Sequence, residues 1–188
     1  MTRGPTLSAH RLPYLPGRVA IPALQEQTRT PPSPNLLEKF NTASATDAHH
    51  LLLGCLRSLR WARRIADHRP YPDLDSLLAA SDEAAYDLTP GDLAEALTDE
   101  TLPTLPDGTY SAAYTALSAA HAAYEARFGH AFVICLDGVA GEETLDRILE
   151  GIRSRLTNDP EEERVVTAEE LRRLARERLV DTLKGARQ

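Results

Sequence analysis

Six histidines, two cysteines and several acidic clusters are the groups in this 188-residue chain equipped for proton transfer, nucleophilic attack or metal binding. His49 and His50 are adjacent, so on a helix their side chains diverge by about 100° and do not chelate one metal ion in the i, i+4 manner. His121 and His130 bracket Tyr124-Glu125-Ala126-Arg127-Phe128-Gly129. Of the two, His130, just past the end of a helical pattern, is the better candidate for acid–base work near neutral pH. Glu161-Glu162-Glu163 follows Pro160 at a helix start, where negative charge is favoured, and reads as a solvated first turn. Cys55 and Cys135 lie far apart in apolar stretches and read as reduced core thiols. There is no phosphate-binding glycine loop, dinucleotide fingerprint, His-Glu-x-x-His or nucleophile elbow, so no metal site and no cofactor is expected.

The elements that would hold these groups are helical. From Asn35 onward apolar residues recur at helical spacing, with Leu52, Leu53, Leu56 and Leu59 forming one face of a run from His49 to Trp61, capped by Ser44 or Thr46. Arg69-Pro70-Tyr71-Pro72 turns the chain, and a helix over Leu74 to Ser81 follows, resuming after a break at Glu83 to Tyr86. Thr89-Pro90-Gly91-Asp92 starts a short helix over Leu93 to Leu97, and Asp99 to Gly108 is a loop. Ser111 to Phe128 is an unbroken Ala-rich helix ended by Gly129. Phe132-Val133-Ile134-Cys135-Leu136 is the one extended run, and two amphipathic helices, Glu142 to Leu156 and Ala168 to Leu183, close the chain.

Composition sets the outer limits. Lysine plus arginine number 21 and aspartate plus glutamate 28, a net charge of −7, which argues against nucleic acid as partner and leaves a small molecule or a protein. No apolar run approaches the roughly 20 residues that span a bilayer, and the N-terminus lacks a secretory apolar core, so no membrane association is expected and the protein reads as cytoplasmic. Seven of the 13 prolines fall in residues 1–34, predicting an extended or disordered arm before a helical domain over 35–185.

Several strings follow one another in a specific order: Leu37-Glu38-Lys39-Phe40-Asn41, Cys55-Leu56-Arg57-Ser58-Leu59-Arg60-Trp61-Ala62, Arg69-Pro70-Tyr71, Tyr124 to Gly129, Phe132-Val133-Ile134-Cys135, Glu142-Glu143 and Arg155-Leu156-Thr157-Asn158-Asp159-Pro160. Together, over about Leu36 to Leu183, they resemble the 2-oxo-4-hydroxy-4-carboxy-5-ureidoimidazoline (OHCU) decarboxylase family. The resemblance implies an all-α domain with one short extended segment, no cofactor, a small acidic substrate and a homodimer as a possible assembly. Members of that family finish urate breakdown by converting OHCU to (S)-allantoin.

The resemblance also locates a departure. The family's His-Pro-Arg-Ile-Gly motif, which carries its catalytic histidine, should follow Asp92 to Leu97; the chain reads Thr98-Asp99-Glu100-Thr101-Leu102-Pro103, with Glu100 at the histidine position. The family's Ser-x-Glu-Gln-like segment has no counterpart, because only Thr104 to Tyr110 joins the two flanking elements. The resemblance retains Phe132, Val133, Ile134, Cys135 and Leu136 as a backbone strip for substrate and Arg178 as an anion-binding group. A glutamate serves as proton donor near neutral pH only if enclosure raises its pKa, and Asp99 beside Glu100 would help. Two carboxylates repel an acidic substrate unless Arg178 compensates. Three functions stay open: a cofactor-independent enzyme with a rebuilt site using Glu100 and His130 on a small ureido- or imidazole-bearing acid, in purine breakdown or a specialised biosynthetic step; a non-catalytic binding or regulatory protein; or ordinary OHCU decarboxylation with His121, His130 or His68 recruited.

Overall fold

The computed structural model describes Met1, residues 35–102 and residues 111–185, all but Met1 within a unit that runs from Pro34 to Gln188. The arm expected over 1–34 therefore lies outside the described residues, Met1 apart. The described chain is all-α, as expected. Its helices are α1 (Leu36–Thr42), α2 (Ala45–Cys55), α3 (Leu59–Asp67), α4 (Leu74–Tyr86), α5 (Pro90–Leu97), α6 (Ser111–Phe128), α7 (Thr144–Arg155) and α8 (Pro160–Lys184), with a 3₁₀ turn at Gly141–Glu143.

Local chemistry explains most boundaries. Asn35, Ser44, Ser58, Asp73, Thr89 and Asp159 each accept a backbone N–H at the start of a helix, and Thr89 and Asp159 form reciprocal capping boxes with Asp92 and Glu162. Three expectations are corrected. The run His49 to Trp61 is two helices, because Leu56 adopts an extended backbone and the Ser58 hydroxyl starts α3; Leu56 is buried, whereas Leu59 is mostly exposed. Residues 74–86 form one helix without a break, and α8 starts at Pro160, eight residues before the expected Ala168.

Two apolar clusters form the interior. The larger gathers Phe40, Leu52, Leu56, Trp61, Ile65 and Leu77 around the buried row Leu171, Ala175, Leu179 and Leu183 of α8, whose spacing of four keeps it on one ridge. The smaller joins Leu117 and Tyr124 of α6 to Ile148 and Ile152 of α7. The extended strip lies between them. Gly129, at φ 78°, ends α6, and Gly138, at φ 76°, turns the chain after Leu136, both in the left-handed region that glycine tolerates. Successive side chains of an extended segment point to opposite sides. Accordingly Phe132 and Ile134 enter the smaller cluster and Val133 the larger one.

Candidate functional site

The row that buries Leu171, Ala175 and Leu179 leaves Leu174, Glu177 and Arg178 on the flank of α8, where they line a cleft of about 480 Å³. Its other walls are Leu53, Gly54 and Arg57, then Asp99 to Leu102, then Val133, Ile134 and Leu136 of the strip. Arg178 reaches the C-terminal end of α2, where Nη1 donates to the Cys55 carbonyl at 3.0 Å, a cation at a helix C-terminus. The same guanidinium grips Glu100 in two-pronged fashion, Nη1 to Oε1 at 2.7 Å and Nη2 to Oε2 at 2.8 Å. The Glu100 side chain is only 7% exposed and that of Arg178 36%. Hydrogen bonding to Glu100 holds the Arg178 guanidinium above its already high usual pKa. Next door, Arg57 donates to Asp99, but these side chains are 49% and 60% exposed.

Glu100 also lines a second cavity, of about 670 Å³, between α5, the end of α6 and the start of α8. His130 belongs to that cavity and not to the Arg178 cleft. Its Nδ1 donates to the Ala131 carbonyl at 2.9 Å and its ring meets Tyr124 edge-on. Of the sequence-predicted residues, the structure thus brings together Glu100, Arg178, Val133, Ile134 and Leu136. Phe132 points into the smaller core, and Cys135 is held from α8: Glu170 accepts its N–H at 2.6 Å and Glu177 lies 3.5 Å from its sulfur. Burial raises the pKa of both Cys135 and Cys55, consistent with core thiols.

No histidine lines the Arg178 cleft among the described residues. His121 instead buttresses the strip, its Nε2 accepting the Phe132 N–H at 3.3 Å while Nδ1 faces Glu125 at 3.9 Å; that arrangement needs Nε2 without a proton. His68 sits at the end of α3, donating to the Arg64 carbonyl at 2.6 Å. Nor is any group of three or more His, Cys, Asp or Glu residues placed to hold a metal ion, among the described residues.

The strip is anchored by a buried cluster that sequence reasoning missed. Arg155 donates to the Val133 carbonyl at 2.6 Å, to Glu163 through Nε at 2.9 Å and Nη2 at 2.6 Å, and to Thr167 at 3.0 Å, and lies over the Phe132 ring. Glu163 also accepts from the Tyr124 hydroxyl and from Asn158 at 2.9 Å. The expectation of a solvated Glu161 to Glu163 turn is therefore corrected for Glu163, which is 1% exposed. Burial alone would raise its pKa, but the bonds from Arg155 and Tyr124 outweigh it and hold the carboxyl below its usual range. The available signal was register: Glu163 and Thr167 continue the buried spacing of four that runs on through Leu171.

Family comparison fits this architecture. The sequence profile of the OHCU decarboxylase family matches residues 41–100 and 104–180, and the chain belongs to that family. Its fold is shared by solved structures, among them two crystal structures. A crystal structure of OHCU decarboxylase in the presence of (S)-allantoin superposes with a TM-score of 0.63 at 18% identity, covering 76% of this chain and 99% of that one. A crystal structure of (S)-allantoin synthase gives 0.60 at 17% identity, covering 78% of this chain and 54% of that one, so this chain spans about half of that protein. A search of curated protein sequences finds no match. No helix among the described residues is long and apolar enough to cross a membrane.

Proposed function

We propose that this member of the OHCU decarboxylase family is a cofactor-independent, decarboxylase-like enzyme with a rebuilt site, acting on a small polar acid that carries a ureido or imidazole group. The single observation that carries the reading is the enclosed Glu100–Arg178 pair, set against the extended strip in a cleft of small-molecule size. An anionic group of the substrate takes the place of Glu100 on Arg178. Glu100, displaced from its guanidinium, is the group placed to carry the proton that the reacting carbon needs. The carbon–carboxylate bond then breaks, its electron pair moves into the substrate's own conjugated ring or ureido system, and carbon dioxide leaves. Glu100 delivers its proton to the carbon and, once the product has left the cleft, returns as carboxylate to Arg178.

With the cleft filled, the next proton reaches Glu100 from the second cavity, which His130 also lines. Purine breakdown or a specialised biosynthetic step is the setting this reading implies, with a cytoplasmic homodimer as the working unit. The test is to supply OHCU freshly generated from urate, and related ureido and imidazole acids, following substrate absorbance, released carbon dioxide and the circular dichroism of the product. Turnover lost in both Glu100→Gln and Arg178→Ala supports the proposal. No acceleration of any acid over its spontaneous decay sinks it. One observation favours a second reading, a binding or regulatory protein: both terminal nitrogens of Arg178 are already satisfied within the chain. Acids that bind without reacting would support it.

A further inference from the structure

Two guanidinium groups, Arg57 from the α2–α3 connection and Arg178 from α8, line the one cleft. Each is paired, and the partners are consecutive residues, Asp99 and Glu100. Two carboxylates borne on adjacent residues thus sit on two cations that reach the cleft from different elements. We propose that Asp99 and Glu100 occupy the cleft as a built-in stand-in for its ligand, and that the ligand is a compact diacid, one anionic group on Arg178 and the other on Arg57. This rests on the small-acid reading above and narrows its substrate class.

The two positions differ in a way that suits decarboxylation. The Arg178–Glu100 pair is two-pronged and enclosed, so its replacement is a strong, oriented contact. The Arg57–Asp99 pair is half exposed, where ion pairs contribute little and exchange easily. A group held tightly in the ground state resists reaction, so the retained anion belongs on Arg178 and the departing carboxylate on the loosely held rim at Arg57. Carbon dioxide then forms beside solvent. Charge also balances: the cleft holds Arg57 and Arg178 against Asp99, Glu100 and Glu177, and a diacid that sends Asp99 into water and leaves Glu100 protonated restores the same sum.

The experiment is calorimetric and needs no turnover. Malonate, succinate and glutarate are titrated into the full-length chain beside the monoacid butyrate. The expected result is that the best diacid binds about threefold more tightly than butyrate, the value of one half-exposed ion pair. Arg57→Gln removes that preference and leaves butyrate binding unchanged, whereas Arg178→Gln weakens both; Asp99→Asn, at an exposed position, tightens the diacid. Equal binding of diacid and monoacid, or a preference that survives Arg57→Gln, overturns the diacid proposal while the small-acid reading stands. Absence of binding for every acid overturns both.

Discussion

Replacing Glu163 by glutamine tests whether the polar cluster behind the strip is the keystone of the fold. The carboxylate accepts five hydrogen bonds, from Arg155 Nε and Nη2, Tyr124, Asn158 and Thr167, the last at 3.3 Å, and its side chain is 1% exposed. Glutamine keeps the shape but removes the charge and turns an N–H₂ toward groups that are themselves donors. Arg155, 9% exposed, then stays charged with only neutral acceptors around it, among them the Val133 carbonyl, the Tyr124 hydroxyl and Thr167. Breaking a buried pair from one side costs about 3–5 kcal/mol, which for a domain of this size lowers Tm by roughly 6–20 °C.

The loss should depend on pH. The folded pKa of Glu163 lies below its unfolded value near 4.3, so its contribution is complete above that value and drains as pH falls through the folded one. Thermal unfolding of wild type and Glu163→Gln should therefore differ fully at pH 7 and draw together as pH falls below the unfolded value. The double replacement of Arg155 and Glu163 by methionine should cost less than the sum of the single ones, leaving about 1–3 kcal/mol for the unsatisfied Val133 carbonyl. A difference under about 1 kcal/mol at pH 7, or one independent of pH, would refute the assignment.

Arg178→Ala should abolish measurable binding of small acids in calorimetry while cooperative unfolding persists; unchanged affinity removes Arg178 from the site. For His130→Ala, the expectation is a fall in kcat of roughly 10²-fold with KM unchanged, restored by added imidazole that enters the second cavity; full activity without imidazole contradicts proton delivery by His130. Gly151→Ala should lose about 1 kcal/mol by urea titration, since the new Cβ would lie 3.1 Å from the Phe132 ring and 3.2 Å from Ile134, outweighing the gain in helix propensity; a more stable variant means the ring yields freely. Deleting residues 1–34 should leave a cooperative thermal transition, and its loss would make that segment part of the fold.

The helical plan was legible because its signals are local. Thr89-Pro90 caps a helix as its chemistry requires, and Gly129 ends α6 where its periodicity stops. The failures came where a local pattern competed with tertiary packing. Leu59 fits the apolar spacing of the preceding helix, yet the Ser58 cap starts a new one and turns Leu59 outward. Glu163 has the composition of a solvated first turn and the register of a core row, and register prevailed because Arg155 and Tyr124 were there to receive it. For the site, the resemblance singled out Glu100 and Arg178 separately. Their direct pairing spans 78 positions of sequence, and no periodicity encodes such a contact. Arg57, Glu170 and Glu177 carry no sequence signature beyond being charged residues on helical or loop surfaces.

The strip has a consequence for solubility. Ala131-Phe132-Val133-Ile134-Cys135-Leu136 is apolar, uncharged, partly β-branched and free of proline, the composition of a segment prone to stack with copies of itself. No neighbouring strand occupies its backbone among the described residues. Side chains take that role: His121 receives the Phe132 N–H, Arg155 covers the Val133 carbonyl and Glu170 receives the Cys135 N–H. Charged and aromatic groups on three helices thereby blunt an edge that would otherwise template intermolecular pairing. Loosening any of them exposes an aggregation nucleus as well as a binding surface, so precipitation on storage would be an early symptom of damage at this site.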